Sequence, residues 1–258
     1  MATFTSSDLL HGAEFTDVDL GGSRFVRTDF SGVTMRAVDV QGTDIDAPWL
    51  SAADGGLLIN GVDVVAFVEA ELDRRFPGRA QRRAATPDDL RAAWAALEAT
   101  WAATGERVAS MPRGTVDVSV AGEWSYAQTL RHLIMATDTW LGRAILGVER
   151  PYHPIGLPNS EYETDGYDLS VFTDATPPYD EILAVRAEHV AMVRDFIAAL
   201  TAQDLARSCR HPWAPDRRVS ALACLHTILE EEWAHHRYAV RDLASIIGQP
   251  ETGISADD

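Results

Sequence analysis

LACLHTILEEEWAHHRYAVRDL, residues 222–243, carries apolar side chains at Leu222, Leu225, Leu229, Ala239 or Val240, and Leu243. Steps of three and four put these on one face of an α-helix, the face that turns toward a core. The same steps through the middle of the segment land on Glu232 and His236, where leucine would be expected. These two stand four apart and are therefore neighbours on successive turns. A carboxylate and an imidazole aimed at a core need a partner, because an unpaired buried ion costs on the order of several kcal/mol. A divalent metal is one such partner, and in a helical protein its other ligands come from facing helices. His235 competes with His236 for this role, since it lies three residues from Glu232 and can also turn inward.

The residues upstream supply the facing helices. Thr86-Pro87-Asp88-Asp89 is a helix start with an N-cap threonine, proline at the first helical position and an acid three residues after the cap. The helix it opens runs to about Pro112, with Leu90, Trp94, Leu97 and Trp101 on one stripe. Ser125 with Gln128 three residues on is a capping box opening a second helix to about Leu146. His132 lies in it and is the natural third ligand. A long proline- and glycine-containing loop follows over residues 150–178. Tyr179 to Leu200 gives a third helix with Ile182, Val185, His189, Met192 and Phe196 on one face. The fourth runs from about Val219 to Ile247 and ends at Gly248. Four amphipathic helices with one long crossover predict an up-down four-helix bundle over residues 86–258, with no strand in it.

The N-terminal sixty residues read differently. Bulky apolar residues recur at every fifth position: Phe15, Leu20, Phe25, Phe30, Met35, Val40, Ile45 and Leu50. Smaller residues stand two positions earlier, at Ala13, Val18, Ser23, Thr28, Val33, Val38, Thr43 and Pro48. Neither the helical nor the strand period gives this spacing, whereas a four-sided coil with five residues per face does. Its central side chains would point to the axis and stack as a buried ladder. Residues 1–60 are thus expected to form a short right-handed quadrilateral β-helix of about two coils. It can serve as a packing, capping or homodimerisation element. SAADGGLLINGVDV, residues 51–64, carries turn signals and then a short apolar stretch, and reads as a strand-like exit from the coil. A connecting helix between Val62 and Phe76, ended by Pro77-Gly78, lies in the linker of residues 61–85. The overall fold class is α with a small β part.

Composition narrows the function. The chain has 258 residues, 46% of them apolar, which suffices for a sizeable core. Its net charge is −17 and its pI about 4.7, a balance that repels phosphate backbones and anionic bilayers. Neither nucleic acid nor membrane is an expected partner. All 22 basic residues are arginine. The two cysteines form no metal-like pattern, and a reducing compartment suits them. With no secretory-type N-terminus and no spanning apolar run, the expected location is the cytoplasm.

A His₂Glu set suits Zn²⁺ foremost, and also Ni²⁺, Fe²⁺ or Mn²⁺. Three protein ligands leave positions open, which is the catalytic arrangement. Gly122-Glu123-Trp124-Ser125, with His132 seven residues after the serine, resembles the opening of the second helix in the DinB-like superfamily. Glu231-Glu232-Trp233-Ala234-His235-His236-Arg237 resembles its fourth-helix signature. A glutamate at the first ligand position of that signature is similar to the mycothiol-dependent maleylpyruvate isomerase branch. The period-five segment resembles the pentapeptide-repeat family. The resemblance implies a four-helix metalloprotein holding one divalent metal, with mycothiol as co-substrate. It implies a thiol S-transferase or isomerase acting on small electrophiles; the isomerase's own C-terminal domain has no counterpart here. The metal ligands expected are His132, Glu232 and His236. The expected catalytic residue is His153, in the long loop, as an acid or base or as a cover over the metal. The alternative is a non-catalytic bundle that binds metal for stability, with the coil mediating self-association or partner binding.

Overall fold

The computed structural model describes residues 3–5, 7–51, 56–159, 162 and 166–248; residues 52–55 of the strand-like exit expected over residues 51–64 lie outside them. The chain divides into two compact units, Met1–Asp46 and Ala47–Asp258.

In the first unit the chain enters the left-handed region at every fifth residue: Gly12, Asp17, Gly22, Arg27, Gly32, Ala37 and Gly42. At Gly22, Gly32 and Gly42 this is the third position of a turn closed by a main-chain bond, such as Ser23 N–H to Leu20 O at 3.0 Å. Asp19, Asp29 and Asp39 steady these turns by accepting from the main-chain N–H two residues on, at 2.7–2.9 Å. No paired strands occur among the described residues of this unit. The expected buried ladder is corrected: Phe15, Leu20, Phe25, Phe30, Met35, Val40 and Ile45 are each 43–63% exposed. Side chains this exposed are not enclosed, as an axial ladder requires.

The second unit opens with a small hairpin, β1 (Leu58–Ile59) and β2 (Val62–Asp63), then helix α1 (Val65–Arg75). Helix α1 buries none of its residues and is held by ions instead. Its Glu69 and Asp73 pair with Arg79 and the buried Arg82 of the following 3₁₀ turn.

Four long helices follow. In α2 (Pro87–Ala109), Thr86 accepts from Asp89 N–H at 3.2 Å with Pro87 at the first position, as its sequence predicts. Leu90, Trp94 and Leu97 are almost wholly buried, each contributing roughly 2–3 kcal/mol by burial. Helix α3 (Tyr126–Thr137) starts at the Ser125–Gln128 capping box. Helix α4 spans Tyr179–Ala199, and a short α5 (Ala202–Leu205) follows it. Helix α6 is Ala221–Gly248. Helices α2 and α3 each pack on both α4 and α6. The core side of α6 is the one its sequence predicts, with Leu225, Leu229, Glu232, His236, Ala239 and Leu243 buried.

Two expectations are corrected. The second helix does not run α-helically to Leu146; residues Asp138–Ile145 form a π-helix. A Cβ on Gly142 within it would stand 2.8 Å from Pro151 Cβ, so the following loop crosses directly over that glycine. The region beyond residue 86 also contains strands: β3 (Ser208–His211) and β4 (Ala214–Ser220) pair as an antiparallel hairpin. Their polar residues and Pro215 hid it, yet Cys209 is buried between exposed Ser208 and Arg210, the alternation of a half-buried strand. Among the described residues, no helix is long and apolar enough to cross a membrane.

Candidate metal centre

The fourth long helix carries two Glu/His pairs at the same four-residue spacing, offset by one position. The structure separates them. His132 of α3 meets Glu231 and His235, not Glu232 and His236. One ligand atom from each of the three lies within 4.8 Å of the others. Glu231 Oε2 is 3.7 Å from His132 Nε2 and 3.4 Å from His235 Nδ1. Ligands about 2.1 Å from a tetrahedral ion stand about 3.4 Å apart, close to the 3.7 Å between Glu231 Oε2 and His132 Nε2.

Of the expected set, the structure brings His132 to neither Glu232 nor His236 in a group that could hold a metal, and there is a physical reason. Glu232 and His236 do face the core, where each has found a partner on another helix, although His236 Nδ1 is buried without one among the described residues. Arg186 of α4 places Nη2 2.5 Å from each carboxylate oxygen of Glu232, which is 1% exposed. Burial pushes the Glu232 pKa up, and the guanidinium opposes that. His236 Nε2 lies 2.8 Å from Thr104 Oγ1. Thr104 donates its own proton to Thr100 O at 3.1 Å, so it accepts from His236 Nε2–H. Burial lowers the His236 pKa to about 4 and keeps the ring neutral. Glu231 and His235 sit one step round the helix, at the edge of the core, where the Glu231 side chain is still 29% exposed.

Hydrogen bonds orient both rings of the group. His132 Nδ1 donates to the Leu157 carbonyl at 3.0 Å, which leaves Nε2 facing Glu231. His235 Nδ1 donates to the Glu231 carbonyl at 2.9 Å, and its neutral ring keeps a lone pair on Nε2. Burial, then the neighbouring charge of His132, lowers the His235 pKa to about 4. Burial works against the Glu231 charge, but the His132 hydrogen bond and both imidazoles outweigh it and hold the carboxyl below its usual range. The deprotonated Glu231 carboxylate and the neutral His235 ring are in metal-binding states. Trp124 lies against both rings, its centroid 4.5 Å from His132 and 6.0 Å from His235.

His153 is placed elsewhere. Its main-chain N–H donates to Asp138 Oδ2 at 2.8 Å, its Nδ1 accepts from Ile155 N–H at 3.2 Å, and its ring stands 6.1 Å from that of His189. His189 Nε2 lies 2.9 Å from Asp138 Oδ1 and its Nδ1 2.8 Å from Val185 O, making it a fully bonded core residue. Cys224 is no nucleophile: burial, with Cys209 beside it, pushes its thiol up to about 12. Sequence reasoning missed Glu231, which the same i, i+4 spacing could have nominated, and Arg186, which no local pattern marks.

The pentapeptide-repeat family model matches residues 13–46 in eight copies. No curated protein and no solved structure matches the chain. The DinB superfamily model matches residues 96–239, from α2 through the His132, Glu231 and His235 group. The chain belongs to the DinB superfamily and carries pentapeptide repeats ahead of that domain.

Proposed function

We propose that the four long helices form an up-down bundle holding one divalent metal on His132, Glu231 and His235, zinc foremost. The observation that carries this is the convergence of two imidazoles and one carboxylate within 4.8 Å of one another, with the Glu231 carboxyl held below its usual range and the His235 ring kept neutral. Many members of the superfamily bind metal, which supports the same reading.

We further propose a low-molecular-weight thiol, mycothiol being one, as the co-substrate, and transfer or isomerisation of a small electrophile as the reaction. When bound, the metal supplies Lewis acidity that lowers the pKa of a thiol or water. The chain's own residues set the conditions for this. Leu157 O and Glu231 O fix the two imidazole tautomers. Arg186 neutralises Glu232, so the neighbouring carboxylate does not compete. Three protein ligands leave positions for a substrate sulfur.

A second reading, a metal-stabilised bundle without turnover, is favoured by Trp124, which packs against both imidazoles and stacks on that of His235. The repeats, on the same footing, are read as a four-sided coil, supported by the left-handed residue at every fifth position.

Elemental analysis of protein purified without added metal, repeated for His132→Ala and Glu231→Gln, tests the site. Both substitutions are expected to remove the metal; unchanged content in both overturns the assignment. Calorimetric titration of a thiol into loaded and metal-stripped protein separates the two readings. Metal-dependent thiol binding supports the enzyme, and its absence supports the structural role.

A further inference from the structure

Residues 153–157 run from the π-helix back to the metal group and are bonded at both ends. At one end, Asp138 Oδ2 accepts from His153 N–H, and Oδ1 faces His189 Nε2. Both nitrogens of His189 face acceptors, an arrangement that only the imidazolium satisfies, so Asp138 is held by a charge-assisted bond. At the other end Arg131 grips the segment twice. Its Nε donates to Ile155 O at 2.8 Å, and its carbonyl accepts from Leu157 N–H at 3.1 Å. Between the anchors the chain turns tightly, with Gly156 N–H bonded to His153 O at 2.9 Å. The segment's last carbonyl, Leu157 O, then accepts from His132 Nδ1.

We propose that Asp138 and Arg131 are positioning residues for the metal centre, acting through the 153–157 segment. They hold the Leu157 carbonyl where it locks the His132 ring and tautomer and so presents Nε2 to the metal. This rests on the metal reading above. Arg131 precedes His132 in the chain, but its guanidinium reaches Ile155 O and Thr173 O, and the Asp138 carboxylate meets His153 and His189. Their effect is carried by a carbonyl that a freely moving loop could not keep in place, and removing outer partners of this kind costs about 10–100-fold in metal affinity. Gly156 belongs to the same device. A Cβ there would stand 3.1 Å from His153 O, 3.1 Å from a Phe172 ring carbon and 3.2 Å from Met135 Cβ. A methyl group would therefore push the segment out of place without removing any charge.

The test uses the full chain and two variants, Asp138→Ala and Gly156→Ala, with two readouts. One is zinc affinity by competition with a chromophoric chelator. The other is solvent exchange of the His132 Nδ1–H proton, followed by NMR in metal-free protein. In both variants zinc should bind about 10–100-fold more weakly and the proton should exchange about tenfold faster. The more conservative Asp138→Asn keeps an acceptor for His153 N–H and should fall between. If Asp138→Ala does not fold, Gly156→Ala carries the test. Affinity or exchange within threefold of wild type in the folded variants overturns the proposal. Failure of the wild-type chain to bind zinc instead defeats the metal reading, and the exchange measurement then decides alone whether the loop positions His132.

Discussion

Arg186 on α4 and Glu232 on α6 form an ion pair in the core, with one guanidinium nitrogen 2.5 Å from both carboxylate oxygens and both side chains at most 7% exposed. Such a pair contributes little net stability, but losing one partner strands the other. Arg186→Met should therefore cost about 3–5 kcal/mol, because it leaves a buried carboxylate. The double variant Arg186→Met, Glu232→Met should recover most of that loss. Urea denaturation of the three variants checks this. A single variant costing no more than the double one would mean that the pair is not buried as described.

The two Glu/His pairs of α6 should respond differently. Glu231→Gln should abolish metal retention while changing metal-free stability little, since Glu231 is partly exposed, and His235→Ala should abolish metal retention as well. His236→Ala should keep the metal and lose stability, because it empties a core position and strands Thr104. Metal content and thermal melting, measured on the same samples, separate the pairs. Loss of metal from His236→Ala with retention in His235→Ala would reverse the assignment.

This pair shows how far the sequence reaches. Period 3.6 correctly places Glu232 and His236 inside, because burial is what the period reports. It cannot report which buried polar group has already found a partner. That depends on Arg186, 46 residues away on another helix. Helix starts were legible because caps are local: Thr86 and Ser125 bond within three residues, as read. The π-helix, the β3–β4 hairpin and the anchoring of His153 were not, since each depends on contacts made across the fold. The period-five repeats were legible as a pattern, but the exposure of their apolar residues was not.

Protonation gives a signed prediction. His235 and His236 have folded-state values near 4, below the ordinary histidine value of about 6.5. The folded state thus favours the neutral rings. Their contribution is complete above pH ~6.5 and is lost as pH falls from there toward 4, by up to about 3 kcal/mol per ring. His189 works in the opposite direction. Burial opposes its charge, but Asp138 outweighs that and raises its pKa, so its contribution is present at low pH and is lost as pH rises through the folded value. Metal-free protein should lose stability between pH 6.5 and 4, and His236→Gln should flatten that slope. A slope unchanged in this variant would show that His236 titrates as in the unfolded chain.

In the repeat unit, left-handed positions alternate between glycine and residues with a side chain, which allows a test of opposite signs. Gly22 and Gly32 adopt φ of +72° and +74°, and a Cβ there meets no atom within 4 Å, so the cost of alanine is conformational rather than steric. Gly22→Ala and Gly32→Ala should each destabilise the unit by roughly 1 kcal/mol. Ala37 already sits at φ +54° and bears that strain. Ala37→Gly should therefore be neutral or stabilising by up to about 1 kcal/mol, the relieved strain being offset by the greater freedom of glycine in the unfolded chain. Amide hydrogen exchange across residues 13–46 of the full chain reads each effect locally, free of the helical unit's larger signal. If Ala37→Gly speeds exchange as much as Gly22→Ala does, the left-handed corner at Ala37 is not populated, and the five-residue turn pattern is broken there.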